Sequence, residues 1–199
     1  FERELSIVAV RSAQGEFAAW PLVENTHERG VLVHTRAPAL GVSAALQAQA
    51  EAHIASLMDH LGYVGVMALE LFEVRGVDAG RGSCELWANE VAPRVHNSGH
   101  WTQDGARTSQ FENHVRAIAG LPLGSCVAEG VTEMVNLLGQ LPPLEAVLQE
   151  PLAHLHLYGK APRPGRKIGH VNVNGADAGA VHAAAQRIRA GLPEGAGPA

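Results

Sequence analysis

Fourteen consecutive residues, Asn89-Glu-Val-Ala-Pro-Arg-Val-His-Asn-Ser-Gly-His-Trp-Thr102, hold a carboxylate, an arginine, two histidines, two asparagines and two hydroxyls. Such a density of donors and acceptors is the raw material of a polar site. The run follows an apolar segment, Tyr63–Phe72, that carries one lone carboxylate, Glu70. An acid inside a buried strand is costly unless positive charge neutralises it. Glu70 and Glu90 end two strand-like runs, and neighbouring strands can bring such acids opposite each other. Two like charges that close repel unless a cation sits between them. Oxygen ligands select a hard cation, and magnesium takes one or two carboxylates together with substrate phosphates. A nucleotide-using enzyme is the first expectation.

Arg94 offers a planar fork suited to bicarbonate, carboxylate or phosphate. His96 and His100 stand four apart, the spacing of a zinc pair on a helix. The intervening Asn97-Ser98-Gly99 reads as a loop, however, and no acid follows His96, so an anion pocket of Arg94, His96 and Asn97 is the better reading. Further along, Lys160, Arg163, Arg166 and Lys167 place four cations within eight residues, on a turn stiffened by Pro162, Pro164 and Gly165. A solvated hairpin tip and a phosphate grip both fit such a run; the rigid backbone favours the grip. Asn25, His27 and His34 read as weaker loop candidates, and His53, His60, His114 and His182 as helix-face residues. His154 and His156 alternate along one strand face, which points to structure rather than ligation. Ser98 lacks the surroundings of a nucleophile elbow.

The elements that must carry these groups are legible from periodicity and punctuation. Glu4–Arg11 alternates as a strand and forms a hairpin with Glu16–Trp20 across the turn Ser12–Gly15. Residues 21–38 read as a loop with one short strand, Val31–His34. Ser43 caps a helix to about Leu61, with Gly62 ending it and Leu46, Ala50, Ile54, Leu57 and Leu61 at helical spacing. Tyr63–Glu73 is a buried strand, Val77–Ser83 a glycine-rich loop and Glu85–Val91 a second strand. A helix starts at Thr108 or Ser109 and ends near Gly120. Beyond a boundary around Leu121–Ser125 come a strand (Thr132–Leu138), a short helix after Pro143, a hairpin from Ala153–Tyr158 to Lys167–Val173, and a helix from Asp177 to Ala190. The tail Gly191–Ala199 has little to bury and reads as disordered. The predicted class is α+β, with residues 1–120 as a first unit, 121–191 as a small β-rich second one and 192–199 as tail.

With 199 residues, 46% hydrophobic and 18% charged, the composition is that of a globular protein. The net charge of −5 argues against a general nucleic-acid binder, whose footprint is basic. Two cysteines, Cys84 and Cys126, stand far apart and imply neither a disulfide framework nor a zinc knuckle, so a reducing cytoplasm is expected. No apolar run approaches the roughly 20 residues that span a bilayer. Phe1 opens in mid-strand without an initiator methionine, which reads as the C-terminal part of a longer protein.

The run Asn89–Thr102, the segment Tyr63–Phe72 and Arg163-Pro-Gly-Arg-Lys-Ile-Gly-His170 closely resemble the ATP-grasp 5-(carboxyamino)imidazole ribonucleotide synthases, the ATPase subunits of the bacterial phosphoribosylaminoimidazole carboxylase system of purine biosynthesis. The likeness runs from Phe1 to about Val173, and its motif Ala-Pro-Arg-x-His-Asn-Ser-Gly-His is long and uncommon. It implies the C-terminal part of an ATP-grasp fold, a largely antiparallel mixed sheet with helices followed by a small β-rich domain. The implied reaction uses ATP and bicarbonate to form carboxyphosphate, which carboxylates the exocyclic amine of aminoimidazole ribonucleotide. By the same resemblance, Glu4 and His27 contact the nucleotide, Asn89 and Glu90 lie at its phosphates, and Glu70 and Glu90 hold Mg2+. Arg94, His96 and Asn97 line the bicarbonate or carboxyphosphate pocket, while Lys160 and Arg166, with Arg163 and Lys167, grip the ribonucleotide phosphate. A homodimer is implied too, with neither a nucleic-acid nor a membrane partner. Many ATP-grasp proteins read Glu-x-Asn-Pro-Arg where this chain has Glu90-Val-Ala92-Pro-Arg94, which leaves a cation with fewer protein ligands. The N-terminal domain and the glycine-rich, lysine-bearing loop that cover ATP in this family would precede Phe1. Another ATP-grasp carboxylate–amine ligase, such as a formate-dependent transformylase, and a non-catalytic binding remnant are the alternative readings.

Overall fold

The computed structural model describes residues 1–75 and 84–193. The predicted glycine-rich loop Val77–Ser83 and residues 194–199 of the predicted disordered tail lie outside them. Nine strands, β1 (Arg3–Arg11), β2 (Phe17–Ala19), β3 (Val23–Glu28), β4 (Val31–Ala37), β5 (Gly65–Arg75), β6 (Cys84–Ala92), β7 (Val131–Leu138), β8 (Ala153–Leu157) and β9 (Lys167–Gly175), form one sheet among the described residues. Their order is β6-β5-β1-β3-β4-β7-β9-β8, with short β2 beside β1, and every pairing is antiparallel. This is the α+β, antiparallel architecture expected.

β1 (Arg3–Arg11) is the axis of the first half. β5 (Gly65–Arg75) pairs with it from Arg3↔Glu73 to Arg11↔Gly65. On its other edge β2 (Phe17–Ala19) lies opposite Ala9–Arg11, and β3 (Val23–Glu28) opposite Glu4–Ser6. The segment 21–38, expected as a loop with one short strand at Val31–His34, has that strand and a second one before it. It is a hairpin of β3 and β4 (Val31–Ala37), closed by Arg29 and Gly30 at φ 49° and 77°. Two successive left-handed residues make the turn that matches the twist of its strands.

β5 reads as almost continuously apolar because both of its faces are covered. On one, α1 (Ala44–His60) packs Leu46, Ala50, Ile54 and Met58 against Leu5, Ile7, Met67 and Leu69. The Ser43 hydroxyl caps α1, accepting the Leu46 N–H at 3.1 Å. On the other, Val8, Val10, Val66 and Ala68 meet Trp20, Trp101 and Ala117 of α3 (Gln110–Ile118). Trp20 is fully buried and its indole N–H donates to the Thr108 carbonyl at 3.1 Å. Between β6 (Cys84–Ala92) and α3 the chain makes a 3-10 turn, Asn97–Gly99, and α2 (Thr102–Gly105).

β7 (Val131–Leu138) pairs with β4, so the sheet continues unbroken past the expected boundary. α4 (Leu144–Leu148), β8 (Ala153–Leu157), β9 (Lys167–Gly175) and α5 (Ala178–Ala190) follow. Val135, Leu137, Val171 and Val173 pack against Val181, Ala185 and Ile188 of α5. No helix among the described residues is long and apolar enough to cross a membrane.

Glu133 ties this half together. It is 1% exposed, and its carboxylate meets His34 Nε2 and His182 Nδ1 at 2.9 Å each. His34, at the end of the expected strand Val31–His34 but grouped with the weaker loop candidates, lies within β4 and is buried. Burial alone would raise the Glu133 pKa, but the two imidazole hydrogen bonds outweigh it and hold the carboxyl below its ordinary value. A depressed carboxylate stabilises the fold above its unfolded pKa of about 4.3, and that stabilisation is lost as pH falls through the folded value. Glu133→Gln should therefore cost about 1–3 kcal/mol near neutrality. It should also flatten the loss of stability in acid, as read by urea unfolding between pH 3 and 7.

Candidate active site

The face of β1 and β5 that carries Val8, Val10, Val66 and Ala68 turns polar towards one end of the strands, where Ser6, Glu4 and Glu70 continue it. Side chains two apart share a strand face, so core and site lie on one surface. Ser6 is fully buried and accepts from Asn25 Nδ2 at 2.5 Å, while Asn25 Oδ1 accepts from Thr35 at 2.9 Å. These three form a satisfied polar floor. Above it the Glu4 carboxylate meets His27 Nδ1.

Glu70 pairs directly with Glu90 across β5 and β6, the juxtaposition expected from the sequence. Register then slips by one residue, Leu71 facing Ala88, so Asn89 is the extra residue of a β-bulge. Bulges re-aim side chains beside sites. Burial, and after it the charges of Glu90 and Glu4, raise the Glu70 pKa against the opposing pull of His27. The hard oxygen donors of the pair fit a cation such as magnesium. Among the described residues no group of three or more His, Cys, Asp or Glu could hold a metal, so an ion at Glu70 and Glu90 would complete its shell with substrate oxygens and water.

The His96 ring approaches this pair, Nε2 standing 3.7 Å from Glu70 Oε1. Its Nδ1 accepts from the Ser98 N–H at 3.3 Å and meets the Ser98 hydroxyl at 2.9 Å. Nδ1 is therefore the lone-pair nitrogen, and the N–H points to Glu70. Burial first, then Arg94, Lys167 and His27, push the His96 pKa down to about 4, so the ring is a neutral donor at physiological pH. Arg94 is exposed and donates to the Val95 carbonyl at 3.0 Å.

Seventy residues away in sequence, Lys167 reaches this loop: its ammonium donates to Asn97 Oδ1. Lys167 and Lys160 both lie over the Tyr158 ring, 5.5 and 5.3 Å from its centroid, within cation–π range. The Tyr158 hydroxyl bonds His170 Nδ1 at 2.6 Å. Burial, then the charge of Lys160, push the Lys167 pKa down to about 7. The predicted anion pocket and basic turn thus meet through Lys167, with Lys160 beside it. The arginines stand apart: Arg166 donates to Ala161 O at 3.4 Å, and Arg163 lines a cavity of 210 Å³ with Gly139 and Gln140. A larger, mostly apolar concavity of 620 Å³, between β2 and α1, shares no residue with this face. Chemistry rather than volume locates the site.

Sequence reasoning passed over Ser6, Tyr158, His170 and Gln110, whose partners sit on other elements of the fold. His156 Nε2 meets Asp104 at 2.7 Å and its ring stacks on His170 at 4.5 Å, while exposed His154 comes within 3.8 Å of Asp104. His114, taken only as a helix-face residue, accepts the Val66 N–H at 3.0 Å.

Residues 1–111 match the ATP-grasp domain, and residues 132–184 match the phosphoribosylaminoimidazole carboxylase C-terminal domain. The chain belongs to the ATP-grasp family. This ATP-grasp chain is 47% identical over 193 residues to the N5-carboxyaminoimidazole ribonucleotide synthase of Pseudomonas aeruginosa, covering 96% of itself and 50% of that protein. The crystal structure of N5-carboxyaminoimidazole ribonucleotide synthetase from Thermus thermophilus superposes with a TM-score of 0.91 at 52% identity, over 96% of this chain and 51% of that one. The Aspergillus clavatus N5-carboxyaminoimidazole synthase, solved with ADP and 5-aminoimidazole ribonucleotide, gives 0.82 at 32% identity, over 96% and 50%. The ATP-grasp chain spans about half the length of the curated relatives it matches.

Proposed function

We propose that the natural protein carrying this sequence is an ATP-dependent ligase that carboxylates 5-aminoimidazole ribonucleotide with bicarbonate. The observation that carries the reading is the Glu70–Glu90 pair opposed across two strands, with a neutral His96 N–H on one side and the Glu4–His27 pair on the other. Bicarbonate oxygen attacks the γ-phosphorus of ATP, the bond to the β-phosphate oxygen breaks, and ADP leaves. The ribonucleotide amine then attacks the carboxyl carbon of carboxyphosphate; the bond to the phosphate oxygen breaks and the amine nitrogen loses a proton.

Glu4 and His27 bind the nucleotide in this scheme, and Asn89 and Glu90 meet its phosphates. Glu70 and Glu90 hold Mg2+, which when bound neutralises charge on the phosphate oxygens. Arg94, His96 and Asn97 hold bicarbonate and then carboxyphosphate. Lys160 and Lys167 bind the ribonucleotide phosphate, and Arg166 at the turn adds its charge. Lys167 links the two ends through Asn97, so the phosphate grip and the carboxyl pocket are oriented together. Catalysis is then positioning and charge neutralisation rather than covalent work by the protein. A cytoplasmic homodimer completes the reading, and the exposed apolar Phe111, Val115 and Ile118 of α3 support a protein contact there.

The test is phosphate release by the natural protein. It should require ATP, magnesium, bicarbonate and aminoimidazole ribonucleotide together. Turnover that depends on formate instead of bicarbonate would replace this reading with a transformylase.

A further inference from the structure

Gln110, the first residue of α3, is fully buried, and its side chain reaches back to the His96–His100 loop. The amide oxygen accepts the His96 backbone N–H at 2.9 Å. The amide nitrogen donates to the His96 carbonyl at 2.7 Å and meets His100 Nδ1 at 2.8 Å. Because a backbone N–H can only donate, the amide cannot be turned the other way, and both of its hydrogens are committed. His100 Nδ1 must therefore be the accepting nitrogen, which leaves its proton on Nε2. The Gln110 backbone N–H binds the Thr102 hydroxyl at 2.9 Å, and that hydroxyl donates to the Gly99 carbonyl at 2.6 Å. Gly99 packs directly on the amide, and a Cβ there would collide with it. One side chain thus holds both ends of the loop that carries His96 and Asn97.

We propose that Gln110 is a positioning residue, which fixes the His96–Asn97 segment against Glu70 and Lys167 and locks His100 as its Nε2–H tautomer. The catalytic half of this inference rests on the ligase reading; the tautomer does not. His100 sits among Phe111, Tyr158 and His170, with ring centroids 5.3, 6.3 and 5.1 Å away. Burial first, then the charges of Lys167 and His96, push its pKa down to about 3. It is thus a neutral ring of set polarity beside the proposed phosphate grip.

Gln110→Glu isolates the effect. A carboxylate still accepts the His96 N–H, but it faces the His96 carbonyl without a hydrogen and draws a proton onto His100 Nδ1. The natural protein, labelled with 15N-histidine, reports the tautomer directly, and His100→Gln identifies the His100 signals. We expect a pyridine-like Nδ1 in the unaltered protein and a protonated Nδ1 in Gln110→Glu. Turnover of the variant should fall at least tenfold with the KM for ATP unchanged. Gly99→Ala, which crowds the amide from its other side, should lower turnover similarly and serves if Gln110→Glu fails to fold. A protonated Nδ1 in the unaltered protein overturns the tautomer assignment, as does an unshifted one in Gln110→Glu. Full turnover in folded variants overturns the positioning role. Absence of carboxylation in the unaltered protein would instead sink the ligase reading and leave the tautomer result standing.

Discussion

Glu90→Gln should lower bicarbonate-dependent ATP hydrolysis by the natural protein about a thousandfold, a barrier increase of roughly 4 kcal/mol. Glu90 lies directly across from Glu70, and an amide there would halve the charge offered to a cation that must also bind phosphate oxygens. The same change should leave the ligand-free protein as stable as before, or more so. Glu90's charge is one of the two that raise the Glu70 pKa, and an amide removes that repulsion. Activity and stability should therefore move in opposite directions, which loss of a merely structural residue does not produce. ADP release and thermal unfolding of the two proteins provide the measurement. Glu85→Gln, on the same strand but exposed and five residues away, should change neither. Full activity in Glu90→Gln would remove Glu90 from the proposed cation site.

Why that pair was legible in the sequence, and much around it was not, has a physical basis. Glu70 stands out because the residues on either side of it, Val66–Leu69 and Leu71–Phe72, are apolar, and opposition of the two acids needs only adjacent strands. Helix ends were legible for the same local reason: Ser43, Ser109 and Asp177 each accept a backbone N–H three residues on. β3 was missed because Val23-Glu-Asn-Thr-His-Glu28 has one apolar residue; its inward positions, Asn25 and His27, serve the polar floor and the Glu4 contact rather than the core. The bulge at Asn89 is a matter of register, which no residue type announces. Most of the remainder is non-local. Lys167 meets Asn97 seventy residues back, His34 finds Glu133 ninety-nine residues on, and Gln110 looks like an ordinary helix residue until the loop folds over it. The basic turn shows the limit most clearly. Its four cations read as one patch, yet only Lys167 touches the anion-pocket loop, while Arg163 lines a cavity elsewhere.

That asymmetry sets the expected result for the turn. Lys167→Met should raise the KM for aminoimidazole ribonucleotide at least about tenfold with little change for ATP, since a charge-assisted hydrogen bond contributes roughly 1.5–3 kcal/mol. The pH profile distinguishes this lysine from a generic surface charge. Burial, and then Lys160, push its pKa down to about 7, so in the ligand-free protein the ammonium is nearly complete by about pH 6 and is lost as pH rises through about 7. A phosphate monoester gains its second charge near its own pKa of about 6. Affinity should then be greatest between roughly pH 6 and 7, with the ribonucleotide KM climbing above pH 7 as the cation disappears. Lys167→Arg keeps its charge at any working pH and should flatten that alkaline limb even if its wider head binds less well. Lys167→Met should flatten it as well, but at a high KM throughout. Arg166→Ala, at the turn where the guanidinium donates to Ala161 O, should raise the ribonucleotide KM without altering the shape of the profile. Steady-state KM values for both substrates from pH 5.5 to 9 separate these outcomes. Small and equal effects on the two substrates in all three variants would mean that the basic turn is a solvated hairpin tip, and that Lys167 holds the Asn97 loop without meeting a phosphate.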